Sequence, residues 1–177
     1  MKKLFLRIVA LFATSAILLS CENGLNNKYS DAEISTTEAG NTLIVTDKFS
    51  AVILTKEIME TLSPMIGGPE YWTPEVEQVL FLESKLGKYI TQNESRFNSG
   101  HAPSAEELTR YVRQYYGVKY NEIVDLRVVF FCPTSIQNED WNNRALTSVH
   151  GGGDCMFGAV YDMKTKEFID FAVSSPR

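Results

Sequence analysis

The chain of 177 residues has little of what enzymes and metal proteins are built around. It holds two histidines, three cysteines, two tryptophans and six prolines. His101 and His150 lie far apart and neither sits in an HExxH pattern, so the commonest zinc arrangement is excluded. The acidic run Asn138-Glu139-Asp140 lacks the spacing of an EF-hand loop and reads as solvated surface. No Gly-Lys-Ser/Thr follows a glycine run, so there is no phosphate loop. No cofactor is therefore expected. Basic charge is also scarce. There are 17 Lys and Arg against 22 Asp and Glu, and three of the basic residues (Lys2, Lys3 and Arg7) precede Cys21. Beyond that point 14 basic residues face 22 acidic ones, a net charge near −8. Such a body does not neutralise phosphates, so nucleic acid is excluded as a partner, and it does not lie flat on anionic lipid. Long apolar runs are absent as well. The longest, Ile8 to Leu19, spans 12 residues with only Thr14 and Ser15 interrupting it. That is well short of the ~20 residues that a membrane-spanning helix needs.

What is present at the N-terminus is an address. Met1 to Arg7 is short and positively charged, and the apolar run follows directly. This is the layout of a secretory signal. The run ends in Leu18-Leu19-Ser20-Cys21. With that ending the chain resembles a bacterial lipoprotein precursor, whose lipobox places a small residue before an obligatory cysteine. The resemblance implies cleavage before Cys21, a diacylglyceryl group on its sulfur and an acylated new amine. Each buried CH₂ contributes about 0.8 kcal/mol, so more than one chain makes a stable anchor. Glu22, where an Asp would favour inner-membrane retention, makes the outer membrane the expected site in a Gram-negative cell. Residues 1–20 are then a signal peptide, 21–41 the lipidated cysteine with a polar, flexible tether, and 42–177 one domain. Twenty tether residues would span about 25 Å on average.

The domain reads as α+β, with two or three helices packed on one face of an antiparallel sheet of about four strands. Thr42 to Thr46 is short and β-branched, a strand. Phe49 to Leu54 either extends it after a turn or opens a helix running to Met65; Ile58, Met59 and Leu62 favour the helix. Thr73, Pro74 and Glu75 start a helix whose stripe is Val76, Val79, Leu82, Leu86, Tyr89 and Ile90. Ser104 and Glu107 form a capping box, and Leu108, Tyr111, Val112 and Tyr115 continue a second helix to Gly117. From Glu122 to Cys132 the period is two, which predicts a strand. Leu126, Val128, Phe130 and Cys132 share one face, with Arg127, Val129 and Phe131 on the other. Shorter strands are predicted over 144–149, 155–161 and 168–173, the last two joined by a turn at Asp162 to Lys166. The hairpin Asp162-x-Lys164-Thr165-x-x-Phe168 resembles those of small secreted bacterial β-rich domains. Tyr71-Trp72-Thr73-Pro74 together with Gly152-Gly153-Asp154-Cys155 resembles uncharacterised envelope proteins of Gram-negative bacteria, which implies no mechanism.

Two clusters remain as candidates for function. His150, Gly151, Gly152, Gly153, Asp154 and Cys155 bring a thiol, an imidazole and a carboxylate close in sequence. Catalytic partners usually meet from distant segments, and a cysteine opening an apolar strand is more often packing. Trp141, in a polar loop, is either a binding anchor or a core residue. Two functions follow. The favoured one is a non-catalytic binding or inhibitory domain, with a protein partner in the envelope met through Trp141 and the loop His150 to Gly153. The alternative is an envelope hydrolase using Cys155 with His150 or His101. Once Cys21 carries lipid, Cys132 and Cys155 remain. Cys132 ends one predicted strand and Cys155 begins another; in a meander or neighbouring-strand arrangement they could form a disulfide, and otherwise they are two buried thiols, depending on register.

Overall fold

The computed structural model describes residues 29, 31–62, 68–137, 139–146 and 152–176. The segment 1–20, Cys21, His150 and Gly151 lie outside the described residues, as does Ala145's continuation over 147–149. The domain is α+β, built on a single eight-stranded sheet. In chain order its strands are β1 (Glu33–Thr36), β2 (Thr42–Val45), β3 (Ser50–Ile53), β4 (Glu70–Trp72), β5 (Val112–Tyr120), β6 (Ile123–Phe131), β7 (Met156–Asp162) and β8 (Glu167–Val173). The helices are α1 (Lys56–Glu60), α2 (Val76–Gln92) and α3 (Ala105–Leu108). In space the strands run β1-β2-β3-β5-β6-β7-β8. β3 and β4 share one edge of β5: β3 is parallel to Val112–Tyr115, and β4 is antiparallel to Gly117–Lys119. The remaining pairs are antiparallel.

The sheet is thus twice as wide as the sequence predicts, and it is mixed. The largest correction is at 104–117. The Ser104–Glu107 capping box forms, with Ser104 N donating to Glu107 Oε2 (2.7 Å) and Glu107 N to Ser104 Oγ (3.2 Å). The helix it starts is only α3, and from Val112 the chain is β5. Tyr111, Val112 and Tyr115 fit a helical stripe, but Arg113, Tyr115 and Gly117 fit a strand face equally well. β-branched and aromatic residues with partners on both sides favour the pleat. Those partners are β6, paired along all nine residues of β5, with β3 and β4 on the other edge. For the same reason Ser50–Ile53 is a strand, and of the described part of the expected helix only Lys56–Glu60 forms. Residues 144–146 are irregular rather than a strand. Glu33–Thr36, inside the stretch read as tether, is a strand on β2.

Two packed layers flank the sheet. On one face α2 lays down Val79, Leu82, Leu86 and Ile90, all buried, as the stripe predicts. They meet Ile53, Tyr115, Val128 and Phe157 in one core. Phe130 stacks on Phe157 at 4.4 Å, and Tyr89 on Phe168 at 4.1 Å. Trp72 lies flat on Gly117, where a Cβ would come within 2.2 Å of the indole; that closeness is why this strand position is glycine. Within this apolar face sits an ion pair. Arg113 Nε is 2.9 Å from Glu83 Oε1, and both side chains are almost fully buried. The approach is a charge contact rather than an aligned hydrogen bond. The guanidinium donates to the carbonyls of Tyr111 (3.1 Å) and Leu108 (3.2 Å) and is sandwiched between Phe49 and Phe130, 5.0 Å from each ring. Tyr115 Oη donates to the same Glu83 oxygen. On the opposite face α1 packs Met59 against Val52 and Leu54. Helices therefore lie on both faces, not one. Beside α1 that second face carries Met156, Gly158, Val160 and Asp162 of β7 with Asp170 and Ala172 of β8, none of them buried.

Candidate functional site: a groove on the open face of the sheet

Alternation along β5 places Gln114, Tyr116, Val118 and Tyr120 on the second face. They floor a groove of about 440 Å³, with Arg127 and Val129 of β6 beside them. Leu54, Met59, Leu62 and Tyr71 make one wall, and Ala145, Leu146 and Met156 the other. Three tyrosines and two methionines in a mostly aliphatic trough form an adaptable apolar surface with polar rims.

Two buried amides build the loop wall. Gln114, 1% exposed, donates through Nε2 to the carbonyls of Trp141 (2.6 Å) and Arg144 (2.8 Å) and accepts from Leu146 N (2.9 Å) through Oε1. Asn41, fully buried, donates to Asn142 O (3.0 Å) and accepts from Thr55 N (2.9 Å), which ties the loop to the start of α1. Thr73 Oγ1 accepts from Lys56 N (2.9 Å) and secures the other wall. Neither amide carries a sequence signal of this role. Asn41 ends the stretch read as tether, and Gln114 lies in the expected helix outside its apolar stripe.

The electrostatics of the floor centre on Arg127. Its Nη2 lies 3.6 Å from Oδ2 of the buried Asp125. Among the described residues Asp125 Oδ1 and Arg127 Nε have no hydrogen-bond partner. Burial raises the Tyr116 hydroxyl above the usual tyrosine range, and Arg127, hydrogen-bonded to it, opposes part of that rise. Among the described residues of its lining the cation is Arg127, already paired with Asp125.

Those residues singled out from the sequence that the structure describes sit around this site rather than in it. Trp141 is half-buried against Val52, Leu54 and Met59, on the inner side of the loop. It holds the wall in place and does not line the groove. Cys132 and Cys155 form a disulfide, with Cα atoms 4.9 Å apart, and Cys132 N donates to Cys155 O (2.9 Å). The bond closes the loop that carries Trp141 and Leu146. Gly153 has φ +52°, and its N–H donates to Ser175 O (3.2 Å), which ties it to the C-terminal segment. Asp154 accepts from Asn98 N (2.7 Å) and Ser99 N (2.9 Å). Burial works to raise this carboxyl, but the hydrogen bonds from Asn98 and Ser99 outweigh it and hold it below the usual range. It is a loop staple, not a general base. His101 is exposed, with Nδ1 3.0 Å from Ser99 O. It lines a second concavity of about 500 Å³ beside Cys132 and Asp154. Among the described residues no group of three metal-ligating side chains comes together, and no helix is long and apolar enough to cross a membrane.

Comparison with family models, with curated proteins and with solved structures finds no match to this chain.

Proposed function

We propose that this chain is a lipid-anchored protein of the cell envelope whose domain binds a partner without catalysis, through the groove along β5. The observation that carries the binding reading is the groove's preorganisation. Its loop wall is held by Gln114, Asn41 and the Cys132–Cys155 bond before any ligand arrives, which lowers the ordering cost of association. The anchor reading is supported by Leu18-Leu19-Ser20-Cys21 after a basic start and a 12-residue apolar run. The outer membrane is the proposed location in a Gram-negative cell. The hydrolase alternative needs a thiolate at Cys155, and that sulfur is bonded to Cys132.

Two measurements test the proposal. Cys21→Ser should abolish lipid labelling and block maturation; normal processing and membrane retention of that variant would remove the anchor reading. Affinity capture from envelope extract should be compared for residues 22–177 with and without Leu146→Asp, which places a charge in the groove wall. A partner retained by wild type and lost by the variant is expected. An identical captured set would exclude the groove as the binding surface.

A further inference from the structure

Among the described residues the folded domain already holds the chain at Tyr29, ahead of Thr42. Tyr29 is 6% exposed and belongs to the main core. Its ring meets Phe49 edge-on at 5.6 Å, with the Lys48 ammonium 5.9 Å from the ring centre. β1 follows at once, Glu33 pairing with Val45. Both attachments lie at the same end of the sheet, where β3 and β5 begin side by side at Ser50 and Val112. From that end β5 runs eight steps to Tyr120, about 26 Å at 3.3 Å per residue. There the β5–β6 turn exposes Tyr120 (56%) and Ile123 (51%).

We infer that the anchored domain stands on the bilayer with the Tyr29 end of its sheet toward the lipid and the β5–β6 turn pointing away. The inference rests on the lipoprotein reading above. Seven residues lie between Cys21 and Tyr29, which are therefore eight steps apart. Fully extended, those eight steps reach at most about 29 Å. That link has two-fifths of the steps that a tether running to residue 41 would have. It joins one end of a body about 26 Å long in the strand direction. The acidic surplus works in the same sense, because a body near −8 is repelled from anionic headgroups and is not drawn down onto its side. The groove, which follows β5, then runs along the membrane normal. Its Gln114–Leu146 end is the nearer to the lipid and its Tyr120 end the farther, open to partners arriving from the side remote from the bilayer.

The test uses the full lipidated chain in vesicles whose headgroups carry an acceptor dye. A donor is placed on Lys48→Cys or on Glu122→Cys, with the Cys132–Cys155 bond intact, and flotation of the vesicles is measured in the same sample. Flotation with energy transfer several-fold greater from position 48 than from position 122 is the expected result. Flotation with equal transfer from both positions overturns the orientation and leaves the anchor standing. Greater transfer from 122 overturns it too, with the opposite pose. Failure to float, with Cys21 unmodified by mass, overturns the anchor reading and the orientation together.

Discussion

Replacing Arg113 by methionine removes one partner of the ion pair buried under α2. Arg113 and Glu83 have side chains 4% and 6% exposed, so neither charge can turn to water without opening the core. Arg113→Met strands the Glu83 carboxylate with Tyr115 Oη as its remaining neighbour from this cluster. It also takes the donors from Leu108 O and Tyr111 O and empties the space between Phe49 and Phe130. Breaking a buried pair at one partner costs about 3–5 kcal/mol. With a urea m-value of about 2 kcal/mol/M, the unfolding midpoint of residues 22–177 should fall by roughly 2 M. Glu83→Leu should cost a similar amount, since it strands the guanidinium instead. The double variant strands neither charge, so it should be no worse than the poorer single, a coupling of about 3 kcal/mol. Fluorescence-monitored urea unfolding of all four proteins closes the cycle. Additive losses would refute the reasoning, because they would mean that each charge is solvated or paired independently of the other.

Other outcomes follow from the same structure. Replacing Cys132 and Cys155 by serine should lower stability by about 3 kcal/mol, the chain-entropy value for a bond across 23 residues; unreduced wild type treated with alkylating agent should gain no mass at either cysteine. Gln114→Leu removes three hydrogen bonds to the loop, each worth about 1 kcal/mol. Faster hydrogen exchange at the Leu146 amide, with α2 unaffected, is expected, and uniform loss of protection would point to global rather than local damage. Tyr29 carries an alkaline signature. Burial, with the Glu83 charge adding to it, pushes its hydroxyl up to about 12, against 10.0 in the unfolded chain. A raised pKa contributes stability that is full below pH 10 and is lost as pH rises through 12. The urea midpoint should therefore decline across that window, and Tyr29→Phe should flatten part of the decline. Asp154 works in the opposite sense. Its folded pKa is depressed, so its contribution is present above the ordinary value of 3.8 and disappears as pH falls through the lower folded value. Asp154→Asn should shrink the acid-side loss measured by the same unfolding series.

Local chemistry made several elements readable without any structure. α2 was legible because four large aliphatic residues recur at helical spacing, and one buried stripe has one packing solution. β6 was legible because a strict period of two in a run of Val, Leu and Phe admits no helical face, and its predicted faces are those observed. The β7–β8 turn was legible because Asp162 caps it, its Oδ1 accepting from Lys164 N (2.6 Å) and Thr165 N (3.0 Å). The two strand ends bearing Cys132 and Cys155 were also legible, but the distance between them was not.

Everything decided by register or by distant partners waited for the tertiary structure. Residues 111–117 satisfy both periodicities, and only the presence of β3, β4 and β6 on either side selects the strand. The sulfurs of Cys132 and Cys155 meet because β6 and β7 pair Phe131 with Met156, and a shift of one residue would turn one sulfur to the other face. Tyr29 and β1 belong to the domain because Phe49 and the edge of β2 receive them, contacts that a polar stretch of sequence does not announce. The groove was the least readable feature of all. Its floor is the alternate face of β5, and its wall hangs from Asn41 and Gln114, two amides whose partners lie 101 and up to 32 residues away. The sequence by itself determined the helix stripe and the strand faces, because those depend on neighbours within a turn or two. The groove, the disulfide and the packing of Tyr29 against Phe49 were decided by the fold, because each is a meeting of segments whose sequence separation says nothing about their distance in space.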